Sequence, residues 1–453
     1  MLGSERLERL ADRALAMSRA DETEVVLIVQ DSALTRFAQS RIHQNVSESN
    51  VELRVRVLVG KRVGVATTND LNIRSLRQVT ERALQLARLQ PENPELAPLP
   101  DPQPITQVAS WSVSTREFVA RQRAQAVSTI CRLANEKGLE ASGAFSTSAS
   151  ELLVANSRGI HAYAPSTLAE LTTVVMSADS SGFAQDTVID VAALDAERLG
   201  REAVRKALTG RHPQPLPPGN YTVILEPYAV AELLAYLAYL GLGARAFQEG
   251  RSFMTGQLGR QITGEQITVW DDGSDPTGLP FPFDFEGLPR RRVELITNGV
   301  ARGVVYDSQT AFREHKFSTG HALPAPDIFG PLPVNLFLQP GSQSVDQMLA
   351  AVDHGVWVTR LHYVNPVHPL NTVVTGMTRD GTFWIERGEI RNGIKNLRFT
   401  QSILDAFRST CSVGTETRLL PGMVGGIRAP ALLIDGFSPA RPSSRVGWPG
   451  GPA

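Results

Sequence analysis

The sequence contains little cysteine, no excess of charge and no long apolar run. Only Cys131 and Cys411 occur, outside any CxxC spacing, which argues against a disulfide framework and a thiolate zinc site. The 45 basic and 46 acidic residues give a formal net charge of −1, so there is no basic field for non-specific nucleic-acid binding. The longest apolar run, Ala229–Leu242, is interrupted by Glu232 and is too short to span a bilayer. We therefore expect a cytoplasmic protein without nucleic-acid or membrane partners.

The motifs of several enzyme classes are also missing. The chain has no GxSxG, no Walker loop, no GxGxxG after a strand, and neither HExxH nor HExxxH among its eight histidines. His315/His321 and His362/His368 lie in loop-like sequence, where hydrogen-bonding or exposed roles are favoured over metal ligation. Cys411 lacks a basic neighbour that would activate a thiolate, so the favoured interpretation is a small buried residue.

Hydrophobic periodicity predicts an amino-terminal α/β region in two parts. Glu24–Gln30 has the apolar run of a strand, and alternation in Thr35–Asn45, Asn50–Leu58 and Lys61–Thr67 predicts an antiparallel meander with one face exposed to water. Helices are predicted at residues 4–19, Ser75–Leu89, Thr115–Lys137 and Ala192–Leu208.

After Asn220, short apolar strands alternate with turns, and only Ala229–Phe247 and Val345–Ala351 have helical periodicity. This pattern predicts a β-rich carboxy-terminal domain and an α+β fold overall. Two proline-rich segments provide the boundaries. The expected division is domain 1–90, linker 91–110, central domain 111–211, carboxy-terminal domain 219–437 and a disordered tail, 438–453.

The segment WDDGSDPTGLPFPFDFEGLPRRR, residues 270–292, concentrates carboxylates and arginines in a loop rich in proline and glycine. Its prolines split the acids into two groups, which excludes an EF-hand loop. Asp272 with Asp284 or Glu286 could act as paired acid/base catalysts if the loop folds back. The favoured alternative is structural: the acids accept backbone N–H groups in turns and pair with Arg290–Arg292.

The motifs after this acidic loop occur in a distinctive order: ELITNGVARGVVYDSQTA, FSTGHA, then GTFWIERGEIRNGIKNLRF. In this order they resemble the carboxy-terminal domain of the TldD/TldE (PmbA) family of metallopeptidases. The segments from EVVLIVQDSALTRFAQSRIHQ to VGVATTNDLNIRSLRQVTERALQLAR are similar to the family's first domain, so the resemblance covers nearly the whole chain. In that family the catalytic member, TldD, carries HExxxH on a helix after the strand that opens the last domain, and its two histidines bind zinc. Here the corresponding strand YTVILE precedes PYAVAELLAYLAYLGLGARAF, which has no histidine.

The resemblance therefore implies a TldE-like subunit without a zinc of its own. It implies a heterodimer in which a TldD-like partner holds the zinc and cleaves unfolded or precursor peptides, while this chain helps to form the substrate cavity. Glu226 and Glu232 remain in the corresponding region, but without zinc they have no activated water to deprotonate. Apolar residues surround the helix almost completely, which predicts that it is buried.

The resemblance also supplies the candidate site residues. Asp271, Asp272, Asp284, Glu286 and Gly287 match the family's DD…fD.EG pattern, which favours loop architecture and cavity lining over catalysis. No catalytic residue or metal ligand is assigned to this chain.

Charged groups near the loop are candidate peptide contacts. Arg290–Arg292 and Lys316 could meet a peptide carboxylate, and Asp284 or Glu286 an amine; solvated loop charge is the alternative. Two further functions stay open: a regulatory protein-binding module, which the family's older name as a DNA gyrase modulator suggests, and an enzyme acting alone through the loop carboxylates.

Overall fold

A computed structural model describes residues 1–217 and 219–437, so the predicted tail at 438–453 lies outside the described residues. The amino-terminal half builds one antiparallel sheet of six strands in the order β3-β2-β1-β4-β5-β6. Its strands are β1 Glu22–Ala38, β2 Arg41–Val59, β3 Arg62–Thr68, β4 Glu140–Asn156, β5 His161–Met176 and β6 Ser181–Val188. Its helices are α1 Ser4–Met17, α2 Ile73–Leu89, α3 Val113–Arg116, α4 Ala120–Asn135 and α5 Ala196–Thr209.

Strand β1 joins the two predicted parts of this half, because it pairs with β2 on one side and with β4 on the other. The proline-rich segment between them forms no helix or strand, yet it is packed rather than free. Leu99 is buried and its N–H donates to the Glu22 carboxylate at 2.6 Å, while the Ala97 N–H donates to the Gln309 side chain at 3.0 Å. The segment therefore contacts both halves of the molecule.

One face of this sheet is covered by helices. Leu53, Val55 and Val57 alternate along β2 and pack with apolar residues of α1 and α2 in a single core cluster. A second cluster joins α4 and α5 to β4, β5 and β6 through residues such as Phe145. The helices of this half therefore lie on the apolar side that strand alternation predicts.

The carboxy-terminal half forms an eleven-stranded sheet within the described residues, which confirms the β-rich domain and the α+β class. The sheet is mixed: β7 is parallel to β12, and β11 is parallel to β17. Its strands are β7 Tyr221–Leu225, β8 Val269–Asp271, β9 Val293–Thr297, β10 Val300–Ala301, β11 Asn335–Leu338, β12 His354–His368, β13 Val373–Glu386, β14 Glu389–Gly393, β15 Arg398–Ser402, β16 Thr410–Pro421 and β17 Gly426–Phe437. Its helices are α6 Pro227–Gly241, α7 Ala244–Gln248, α8 Ser308–Arg313, α9 Val345–Ala350 and α10 Ile403–Arg408.

Three local predictions are wrong. The strand predicted at Thr35–Asn45 spans the β1–β2 turn, where Gln39 and Ser40 have φ of 50° and 56° without the Asn-Gly sequence that usually marks such turns. The helix predicted at Thr115–Lys137 is broken between α3 and α4, where Phe118 packs against Phe145. The domain after residue 219 has more than two helices, because α8 and α10, at six residues each, are too short to show a period.

The prediction that one face of the meander is exposed to water is also wrong at the inner end of β1 and β2. Val26, on the face opposite the helices, packs in a cluster with Phe283 and Leu288 of the acidic loop. On the same face, Glu24 is 2% exposed and the Arg56 side chain 17%. The carboxy-terminal domain covers this polar face. No helix of the described residues is long and apolar enough to cross a membrane.

Candidate functional site

The acidic loop begins at the last residue of β8, a strand that pairs with β9 and β11. That residue, Asp271, is fully buried and both of its carboxylate oxygens are hydrogen-bonded. Oδ2 accepts the N–H groups of Val334 and Asn335, each at 2.7 Å, and Oδ1 lies 2.7 Å from Nε2 of the equally buried His321. Asp271 thus fastens the start of the loop to two distant segments.

The second half of the loop folds around Asp284, which is also fully buried. Its Oδ1 accepts the N–H groups of Glu286 and Leu288 at 2.9 and 3.0 Å, and its Oδ2 accepts the N–H of Ala322 at 2.9 Å. A carboxylate that closes a turn through its own backbone neighbours is a local architectural device. Asp272 closes a turn in the same way, since its Oδ1 accepts both the N–H and the hydroxyl of Ser274.

Gly287 makes this tight turn possible. Its φ is 75°, and an added Cβ would lie 2.5 Å from Cγ2 of Ile160, in the turn between β4 and β5 of the amino-terminal sheet. We expect Gly287→Ala to cost about 1–3 kcal/mol more than Gly250→Ala, because overpacking adds to the shared backbone strain. Gly250 is the matched control: its φ is 70° and a Cβ there would meet nothing within 4 Å. Equal urea unfolding free energies for the two variants would contradict this contact.

Glu286 links the loop to the amino-terminal domain. Its Oε1 lies 3.1 Å from Nη2 of Arg56, and the same nitrogen lies 2.7 Å from Oε2 of Glu24. Ser308 donates its N–H to Glu286 Oε2 at 3.0 Å and its hydroxyl to Oε1 at 2.6 Å. Arg56 is therefore shared between a carboxylate of each domain.

Further buried carboxylates surround this pair, and we name Glu24, Asp284, Glu286, Asp307 and Arg56 the interdomain acid cluster. Burial raises the pKa of Glu24 to about 7, because it opposes the charged form more strongly than Arg56 favours it. Burial and the nearby charge of Glu286 raise the pKa of Asp284 to about 7 and that of Asp307 to about 6. One guanidinium thus faces more acids than it can neutralise, and the excess is relieved by protonation.

The two basic candidates have different surroundings. Arg290 is folded into the loop, where its Nε donates to the carbonyl of Phe283 at 3.1 Å and burial lowers its pKa. Its Nη1 is buried without a hydrogen-bond partner. Lys316 is half-exposed and its Nζ contacts the Tyr306 hydroxyl at 2.8 Å and Glu314 at 2.6 Å. A contact of either residue with peptide stays a prediction.

The candidate residues named from the sequence therefore do not form one reactive centre. The loop carboxylates bond mainly to backbone N–H groups and hydroxyls, as in the structural interpretation. Their predicted pairing with Arg290–Arg292 is not found among the described residues. The guanidinium that contacts Glu286 belongs to Arg56 instead. Sequence analysis missed Arg56, Glu24 and Asp307. One signal could have indicated Glu24 and Arg56: they carry opposite charges and lie directly opposite each other on the paired strands β1 and β2.

Family models match most of the chain. They are the PmbA/TldA metallopeptidase domain 1 at residues 23–87, the central domain at 109–211 and the C-terminal domain at 218–441. The chain belongs to the PmbA/TldD metallopeptidase family. The first two matched domains share the six-stranded sheet, and the third contains the eleven-stranded sheet.

Relatives of this family are similar over very different lengths. Metalloprotease PmbA of Escherichia coli O157:H7 is 24% identical, with 93% of this chain and 94% of that protein covered. A metalloprotease of Methanothermobacter thermautotrophicus is 27% identical, but the alignment covers only 51% of each chain.

Solved structures share the fold. TldE of Thermococcus kodakarensis has a TM-score of 0.87 at 22% identity, covering 96% of this chain and all of that one. A Thermotoga maritima protein described as a modulator of a DNA gyrase has a TM-score of 0.85 at 20% identity, covering 96% and 100%.

The family resemblance places the zinc motif on the helix that follows β7, which is α6, and the side chains of this helix do not suit zinc. It contains no histidine, and its residues are mostly buried, as predicted, although Tyr239 is 41% exposed. Burial raises the pKa of Glu232 on this helix. No group of three or more His, Cys, Asp or Glu side chains in residues 1–217 and 219–437 has a metal-binding arrangement.

Glu226, at the N-cap of α6, uses both carboxylate oxygens to bond other side chains of the protein. It accepts Trp357 Nε1 at 2.6 Å and the Thr359 hydroxyl at 2.8 Å on Oε1, and Lys206 Nζ at 2.7 Å on Oε2. The prediction that Cys411 is buried is wrong: its position on β16 leaves it exposed.

Proposed function

We propose that this chain is the TldE-like subunit of a heterodimeric zinc peptidase. A TldD-like partner would hold the zinc and cleave unfolded or precursor peptides, and this chain would complete the wall of the substrate cavity. The observation that carries the proposal is α6, where the family's catalytic subunit has its zinc-binding histidines and this chain has a buried apolar helix. The first turn of that helix is held by Glu226 and Lys206, so it has a packing role of its own.

The acidic loop supports the same assignment. Asp271, Asp284 and Glu286 are buried and bonded to protein groups, so they are poorly placed to bind water and substrate as an independent catalytic pair. They instead fix the loop against the amino-terminal sheet. Through this loop the chain would present a rigid wall rather than reacting groups.

The test is peptide hydrolysis by this chain, by a TldD-like partner, and by the two together, with the zinc content of each preparation. We expect cleavage by the pair only, with zinc in the partner. The control is a pair in which both histidines of the partner's HExxxH motif are replaced by alanine, which should hold this chain but cleave nothing. Hydrolysis or stoichiometric zinc in this chain alone would overturn the proposal.

A second candidate is a regulatory protein-binding module, because one structural neighbour is described as a modulator of a DNA gyrase. Direct binding of this chain to purified gyrase, together with no effect on peptide cleavage by a TldD-like partner, would favour it over the peptidase subunit.

A further inference from the structure

The helical side of the amino-terminal sheet contains a pocket of about 330 Å³ at the amino-terminal end of α4. Asp31, Ala33 and Thr147 of the sheet form one side, and Phe118 and Ala120 at the start of α4 form the other. This pocket lies on the sheet face opposite the acidic loop, since Ala33 continues the alternation of residues that face the helices.

Arg123 lines this pocket and is only 3% exposed. Its Nε donates to the Thr35 hydroxyl at 3.2 Å, and its Nη1 to the Phe118 carbonyl at 2.9 Å and the Thr147 hydroxyl at 3.2 Å. Among the described residues, Nη2 has no protein acceptor and no carboxylate lies within 4.0 Å of the guanidinium. Burial accordingly lowers its pKa, with no acid to oppose the effect.

This lack of a counter-charge distinguishes Arg123 from Arg56 and Lys206. Arg56 contacts Glu24 and Glu286, and Lys206 contacts Glu202 and Glu226. A buried guanidinium without an acid is costly, and an anion beside it would relieve the cost.

Two acids line the pocket: Glu117 is exposed to solvent, and Asp31 already has cationic partners. Asp31 lies 2.8 Å from the amino group of Met1 and 3.4 Å from Arg116, and it accepts the Ser49 hydroxyl at 2.7 Å. The first residues of α4 also line the pocket, and the N-terminal end of a helix favours negative charge.

We propose that this pocket binds an oxyanion, a carboxylate or a phosphate, with Arg123 as its principal ligand and hydroxyls such as Thr147 beside it. Arg123 would donate from Nη2, and Arg116, a half-exposed residue at the rim, would add charge. The volume exceeds that of a single ion, so a small organic acid or the last residue of a peptide would fit.

The test is calorimetric titration of the full chain with three probes: inorganic phosphate, N-acetylalanine and N-acetylalaninamide. We expect phosphate or N-acetylalanine to bind and the neutral amide not to. Binding of phosphate alone would identify a phosphate site, and binding of the acid would identify a carboxylate site. Binding of neither anion, or equal binding of acid and amide, would overturn the proposal, and this comparison needs no variant.

Substitution then assigns the binding to the pocket. Arg123→Met should weaken anion affinity about tenfold or more, because a charge-assisted hydrogen bond is lost. Arg121→Met is the matched control, since Arg121 lies on the same helix but is exposed. Should Arg123→Met fail to fold, Arg123→Lys keeps the charge without the planar fork and should weaken binding less. Anion affinity that is the same in wild type and in the Arg123 variants would exclude the site.

Discussion

Replacing Arg56 with methionine should lower the free energy of unfolding by about 3–5 kcal/mol, because it removes the only cation in direct contact with Glu24 and Glu286 among the described residues. Both carboxylates are nearly inaccessible, so water cannot take the place of the guanidinium. The two domains meet at this cluster, and the variant should therefore also loosen their contact. Urea unfolding followed by fluorescence measures the first effect, and limited proteolysis at the domain junction measures the second.

The stability lost in Arg56→Met should depend on pH. Folding raises the pKa values of Glu24, Asp284 and Asp307 to about 7, 7 and 6, so the folded protein holds more protons than the unfolded chain below these values. Their contribution to stability is therefore complete below the ordinary carboxyl pKa and is lost as pH rises through 6 to 7. Without Arg56 the ionised carboxylates of the cluster have no cation beside them. Arg56→Met should therefore lower the free energy of unfolding more at about pH 8 than at about pH 5.

Arg54→Met is the control for Arg56→Met. Arg54 lies on the same face of β2 and contacts the carboxy-terminal domain through the carbonyl of Ala325, but its carboxylate partner, Glu52, is 37% exposed. We expect a loss of about 1 kcal/mol with a smaller dependence on pH than for Arg56→Met, because a half-exposed ion pair contributes little and Arg54 acts on the pKa of Glu24 less than Arg56 does. Equal losses for both variants, or a smaller loss for Arg56→Met at high pH, would contradict the role of the cluster.

Replacing Lys206 with methionine should be similarly destabilising, by about 3–5 kcal/mol, because it leaves the Glu226 carboxylate buried without a cation. Glu202 would keep Arg418 at 2.6 Å. Lys206 belongs to α5 and Glu226 begins α6, so the variant weakens a second contact between the halves of the molecule. Thermal unfolding of the full chain, together with the peptide-cleavage assay of the pair, measures the consequence.

Two variants make this result specific. Arg205→Met changes the exposed neighbour of Lys206 on the same helix and should alter stability by less than about 0.5 kcal/mol. Adding Glu226→Gln to Lys206→Met should recover part of the loss, because the unpaired charge is then removed. If Lys206→Met and Arg205→Met had equal midpoints, the buried pair would contribute nothing to stability.

A second pH effect has the opposite sign. Although burial opposes it, Lys206 and Arg418 lower the pKa of Glu202 to about 2. The stability that this ionised carboxylate contributes is present above its ordinary pKa and is lost as pH falls towards 2. The cluster around Glu202 thus weakens in acid, whereas the interdomain acid cluster weakens as pH rises.

The sequence predicted helices and strands well where they are long enough for their hydrophobic periodicity to repeat. The helix Ile73–Leu89 lies within two residues of the predicted Ser75–Leu89, the expected strand YTVILE is β7, and α6 is a largely buried helix. Prediction was wrong for features that span only a few residues, such as the Gln39–Ser40 turn and the short helix Ser308–Arg313. Such features depend on tertiary packing that short-range patterns do not contain.

For the candidate site, three features were visible without the fold: α6 lacks histidine, the loop carries paired acids, and the motif order resembles a metallopeptidase family. The burial of these acids in the protein interior became visible only in the folded chain. The reason is physical: strand alternation marks Glu24 and Arg56 as polar-face residues, but a polar face can meet water or another domain. Here Glu286 occupies that face, so charges separated by 230 positions become one buried cluster.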